Sequence, residues 1–153
     1  MATDSNRQPD FLSRSAIPPD IHMTDFYNDT GRILINRYRC FPREEPLWVD
    51  DICGPHDFDE FGQHSPRHLA CLATILWLAR EGYLTYTSQD QQVGFNHCVL
   101  TEKSLALLCG WHKDSSQRPI DALEQALLTG SSQDMEAAVQ SVLVASAGRY
   151  FRV

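Results

Sequence analysis

The chain is punctuated most sharply between Ser65 and Leu108, and that punctuation limits the folds open to it. Ser65 can cover the free N–H groups of a first helical turn and Pro66 tolerates the first helical position, so a helix is expected from Pro66 to about Glu81, ended by Gly82. Tyr83–Thr87 and Val93–Leu100 are β-prone runs, and the polar stretch Ser88 to Gln92 between them reads as a hairpin tip. Thr101 then caps a further helix that continues through Leu108. A helix, a hairpin and a second helix must therefore follow one another with almost no slack.

The flanks extend this order. From Thr24 to Phe41 the apolar residues Phe26, Tyr27, Ile33, Leu34, Tyr38 and Phe41 recur on one side at helical spacing, opposite Asp25, Arg32 and Arg39, and Pro42 stops the pattern. Leu47 to Val49 supports a small strand, and Asp50 and Asp51 suit the start of a short helix through Ile52, ended by Gly54-Pro55. An acidic loop follows to Gln63. Beyond Gly110, two more helices are expected, Pro119–Thr129 and Asp134–Ala147, with Gly130 as a stop and Ser131 to Asp134 as a start resembling a capping box. Residues 1–20, with Pro9, Pro18 and Pro19 among small polar residues, read as a flexible arm.

A chain of 153 residues with 42% hydrophobic residues can bury a core of its own. It has no apolar run long enough to span a membrane, and its first thirty residues lack the basic start and apolar middle of a secretory leader, so a cytoplasmic location is expected. Five cysteines are an odd number for a disulfide framework and read as reduced thiols.

Helix, short strand, short helix, long helix ending in Leu76-Trp-Leu-Ala-Arg-Glu-Gly-Tyr-Leu84, hairpin, then Leu100-Thr-Glu-Lys-Ser-Leu-Ala-Leu-Leu108 resembles the winged helix-turn-helix superfamily of bacterial regulators. The resemblance covers roughly residues 24–108, and Ser104 stands where that superfamily commonly has Gly. It implies a mainly α fold with a small β-hairpin, divided into the arm, a winged-helix domain over 21–110 and a helical extension over 111–153 that packs on the domain or dimerises.

In DNA-binding members of that superfamily the long third helix enters the major groove and the wing touches phosphate, so each should carry cations or hydrogen-bonding side chains. A helical wheel places Leu69, Leu72, Ala73, Leu76 and Ala79 toward the core. It leaves Arg67, Thr74 and Glu81 outside, flanked by Ala70, Cys71, Trp77 and Leu78. Arg67, His68 and Thr74 are then the DNA-contact candidates. They form a thin reading surface, because residues 44–62 hold seven carboxylates and no Lys or Arg, the wing has no Lys or Arg, and the net charge is −7. Without phosphate neutralisation most non-specific DNA affinity is lost. A basic cluster, Arg32, Arg37, Arg39 and Arg43, is either a solvated face or a site for an anionic partner.

The first expectation is therefore a non-enzymatic winged-helix protein acting through protein contacts, as a homodimer or as a regulatory or accessory subunit. Cys71, Trp77 and Leu78, with Met135, Val139 and Val142 in the last helix, are its partner-interface candidates. A DNA-binding regulator is the alternative. A zinc- or thiol-dependent protein is the third reading, on two Cys-x-x-His pairs, Cys53/His56 and Cys109/His112, whose meeting nothing in their spacing requires. No cofactor and no catalytic residue is expected. His64 is set aside as a ligand beside His68 because Ser65-Pro66 starts the helix after it.

Overall fold

Ile33, Leu34 and Ile35 are consecutive and all essentially inaccessible to solvent. Successive residues on an α-helix point about 100° apart, so three in a row can be buried only if the helix is surrounded. In the computed structural model, which describes residues 20–111 and 116–148, this helix is α1 (Ile21–Cys40) and it is the axis of the molecule. The short α2 (Val49–Cys53), the long α3 (Pro66–Arg80) and the two C-terminal helices α5 (Pro119–Thr129) and α6 (Ser132–Ala147) all pack against it. The one-sided amphipathic helix expected from Thr24 is thus corrected: it begins at Ile21, and Asp29, Thr30 and Arg37 are buried along with its apolar residues.

The strands are short and antiparallel. β1 (Leu47–Trp48) pairs with β4 (Gly94–Asn96), Leu47 facing Phe95, and β4 pairs in turn with β3 (Ser88–Asp90) to make the hairpin. β2 (Leu84–Thr85) and β5 (Val99–Leu100) form a separate pair at the base of the hairpin. The two continuous arms expected over 83–87 and 93–100 are each broken because His97 takes a positive φ of 53° and Cys98 turns inward. The Cys98 N–H then donates to the Glu45 carbonyl (3.1 Å) instead of to the facing arm. β5 leads into α4 (Glu102–Cys109), whose first turn is capped by Thr101 as expected.

Arg37 joins these pieces. Its guanidinium donates to the Glu45 carbonyl (2.7 Å), the Cys98 carbonyl (3.0 Å) and the Pro46 carbonyl (3.3 Å), adding donors where the hairpin arm departs from the regular ladder. It is 4% exposed, so it belongs to the interior and not to an anion-binding surface. Arg39 and Arg43 are exposed and face Glu124 (3.6 Å) and Glu45 (3.2 Å), while Arg32 is exposed on α1.

α5 and α6 complete the same core, because Ile120, Leu123, Met135, Val139 and Val142 are buried with Ile33, Ile75 and Phe95 in one cluster. The stripe read from the sequence of α6 is therefore real but is covered by the chain's own helices, with Val144 off the stripe and exposed. Except for Asp20, the arm expected over 1–20 lies outside the described residues. Among the described residues no helix is long and apolar enough to cross a membrane.

α1 and α6 approach closely at Gly31, where a Cβ would fall 2.2 Å from the Met135 sulfur. Gly31→Val must displace a methionine that is itself 3% exposed. Overpacking of this kind is expected to cost about 1–3 kcal/mol, read as a lower midpoint in urea unfolding with an unchanged slope.

Candidate functional site

The rotation of α3 about its own axis decides which of its side chains are available. Asp29, 1% exposed on α1, accepts from both terminal nitrogens of Arg67, at 2.8 Å from Nη1 and more closely from Nη2, and Asp25 lies 3.8 Å from Nε. The paired carboxylate holds the Arg67 guanidinium even more firmly charged than usual. A carboxylate buried to this degree needs such a partner, so Arg67 is drawn inward and α3 turns with it.

The inward face is consequently His68, Cys71, Leu72, Thr74, Ile75 and Leu78. The wheel drawn from the sequence was turned: Leu69 and Ala73, expected in the core, are exposed. The DNA-contact candidates are all spent on the fold, with Arg67 in its ion pair, His68 buried and Thr74 buried with its hydroxyl donating to the Ala70 carbonyl (3.1 Å). Of the partner-interface candidates, Cys71, Leu78, Met135, Val139 and Val142 are buried in the chain's own core. Trp77 alone is half-exposed, with its ring edge-on to Phe26 at 5.3 Å.

The outward strip of α3 is Leu69, Ala70, Ala73 and Arg80, with Trp77 beside it. Next to this strip lies an open groove of about 550 Å³ whose walls include Met23, Phe26, Ala73, Trp77 and Leu143, with Arg80 as its one cation.

On the other side of α3, toward the hairpin, the acidic loop folds back on itself. Asp59 fixes its turn by accepting from the backbone N–H groups of Phe61 (2.9 Å) and Gln63 (2.8 Å). The fold-back brings His56 and His64 against His68 of the first turn of α3. The His64 and His68 rings are stacked, with centroids 4.2 Å apart and planes 8° apart, and the His56 centroid lies 4.2 Å from His68 and 4.9 Å from His64.

A chain of polar contacts runs through the three rings. His68 Nε2 lies 2.6 Å from the Gln92 carbonyl at the hairpin tip, and His68 Nδ1 lies 3.0 Å from Asp50 Oδ1. The same Asp50 oxygen lies 3.1 Å from His56 Nδ1, and His56 Nε2 lies 2.7 Å from His64 Nδ1. A carbonyl only accepts, so His68 Nε2 must donate to Gln92. Four contacts need four protons, one more than three neutral imidazoles carry, so either one ring is protonated or a metal cation stands in for a proton. Partial burial, then the neighbouring His68 and His56, hold His64 below the ordinary histidine pKa.

One imidazole nitrogen from each of His56, His64 and His68 falls within a mutual 4.8 Å, and Asp50, Cys53 and His68 converge equally closely. Of the two Cys-x-x-His pairs, Cys53 and His56 thus reach metal-binding company, but with His64, His68 and Asp50. Among the described residues Cys109 joins no such cluster, and His112 lies outside them. One signal for the cluster was present in the sequence, since half of the chain's six histidines fall between positions 56 and 68.

The thiols sit in surroundings that keep them protonated. Burial raises Cys53, burial and then the Asp29 charge raise Cys71 beside it, and burial pushes Cys98 up to about 11 against the pull of the Arg37 guanidinium. Unfolding would free Cys98 to ionise near its usual value of about 8.5. The unfolded chain then releases a proton that the fold retains, so stability falls as pH rises from about 8.5 toward 11. Urea unfolding across this range should show a loss of which Cys98→Ala removes a share on the order of 2 kcal/mol and Cys71→Ala a further share, with Cys71 and Cys98 resisting alkylation in the folded protein at neutral pH.

Compared with protein-family models, with curated proteins and with solved structures, the chain matches none of them.

Proposed function

We propose that this chain is a winged-helix protein without catalytic activity of its own, acting through protein contacts as a regulatory or accessory subunit, with the outward strip of α3 as the contact surface. The element order and the pairing of β1 with the returning hairpin strand β4 support the winged-helix reading. The single observation that carries the function is the chemistry of α3: where a DNA-reading helix presents cations, this one presents Leu69, Ala70, Ala73 and Trp77 beside an apolar groove. A second copy of the chain is the occupant to test first, since one apolar strip can pair with its own image about a two-fold axis. Arg39 and Arg43, each facing a carboxylate on the surface, bring little surplus charge for an anionic partner.

DNA binding is the second reading and rests on Arg80, exposed at the end of the same strip. Arg67→Ala is a poor probe of it, because that change strands the buried Asp29 and perturbs the fold itself. The informative variants are Leu69→Glu with Ala73→Glu, both at exposed positions, and Arg80→Ala. Light scattering is expected to show a dimer that the double glutamate variant dissociates, and gel shift at low salt to show no salt-sensitive retardation of duplex DNA. A strict monomer, or DNA retardation that Arg80→Ala abolishes, would overturn the reading.

A further inference from the structure

We propose that His56, His64 and His68 form a binding site for a divalent transition metal ion of the zinc class, with the Asp50 carboxylate beside it. The inference is independent of the contact surface on α3 and lies on the other side of that helix. It rests on convergence of imidazole nitrogens from two separate parts of the fold: His56 and His64 on the acidic loop, and His68 in the first turn of α3.

The spacing fits a coordination shell. Zinc held by imidazole nitrogen at about 2.0–2.1 Å in a tetrahedron sets neighbouring ligand atoms about 3.3 Å apart. One imidazole nitrogen from each of His56, His64 and His68 falls within a mutual 4.8 Å, so small rotations of the rings bring the three onto one ion. His68 can offer only Nδ1, since Nε2 donates to the Gln92 carbonyl, and that donation fixes the ring's tautomer as outer hydrogen bonds do for metal-bound histidines. A metal cation among these atoms would supply the positive partner that the lone pairs otherwise find in a fourth proton.

The choice of metal follows from the donors. Three imidazoles suit zinc or its cobalt substitute better than calcium or magnesium, which take oxygen ligands. Cys53 is near, but its thiol donates to the Val49 carbonyl (3.4 Å) and burial raises its pKa, so nitrogen and oxygen donors take precedence. Three protein donors leave the fourth position to water or to a further donor. Asp57, Asp59 and Glu60 on the same loop are exposed and add attraction for a cation. The bound ion would tie the loop to α3 and, through His68 and Gln92, anchor the hairpin tip.

The full chain, stripped with a chelator, should bind a single equivalent of zinc in titration calorimetry, more tightly than micromolar. His56→Gln and His64→Gln should each weaken binding by about tenfold or more, while Cys53→Ser and Asp57→Asn leave it unchanged. Cobalt on the wild-type protein should give an intense visible spectrum with no sulfur-to-metal charge-transfer band, a readout that stands even if a histidine variant fails to fold. The proposal is overturned if zinc does not bind at sub-millimolar concentration, if binding survives both histidine substitutions, or if the cobalt spectrum reports sulfur ligation.

Discussion

The fork between Asp29 and Arg67 sets the geometry on which the rest of this molecule depends. Asp29 sits on α1, the helix against which α2, α3, α5 and α6 pack, and its carboxylate is buried there. A charge in that position is sustained only by a well-placed partner, and the two nitrogens of Arg67 reach across from α3 to supply it. A helix has one rotational freedom once its axis is placed, and this pair fixes it for α3. Everything that α3 shows to its neighbours and to solvent then follows at 100° per residue.

Two surfaces result. On the hairpin side, His68 is carried under the hairpin tip and against Asp50, and the acidic loop closes over it with His56 and His64. On the outer side, small and apolar residues face solvent, where a nucleic-acid-reading helix carries its cations. Arg67, His68 and Thr74, the DNA-contact candidates of the sequence, are thus engaged within the fold, and the strip left facing outward is what their inward turn leaves behind.

Much of the architecture was legible in the sequence because local chemistry dictates it. Ser65-Pro66, Thr101, Gly110, Gly130 and Ser131 mark helix ends through hydrogen bonds or backbone conformations made within a few residues, and the structure places the ends of α3 to α6 within two residues of expectation. The rotation of α3 was not legible. Its apolar residues run nearly all the way round, so a wheel has no sharp minimum, and the deciding pair joins residues 38 apart. The inward role of Arg37 was hidden for the same reason, since its partners are carbonyls of a broken strand that no pattern announces. The histidine site was half visible: the crowding of His56, His64 and His68 can be read, but the fold-back that stacks them cannot. The helix start at Ser65-Pro66 excluded His64, although a residue just before a helix can still reach its first turn. The stripe on α6 was correctly read, and only the core it belongs to settled that it is covered in cis.

The most direct test is a double-mutant cycle on the pair that sets α3, using Asp29→Leu, Arg67→Met and the combination, measured by urea unfolding. Each single change leaves a charge without its partner and is expected to cost about 3–5 kcal/mol, whereas the double change removes both charges and should cost less than the sum by about 2 kcal/mol or more. Costs that simply add, within about 0.5 kcal/mol, would mean that the two residues act independently and that something else sets the rotation of α3.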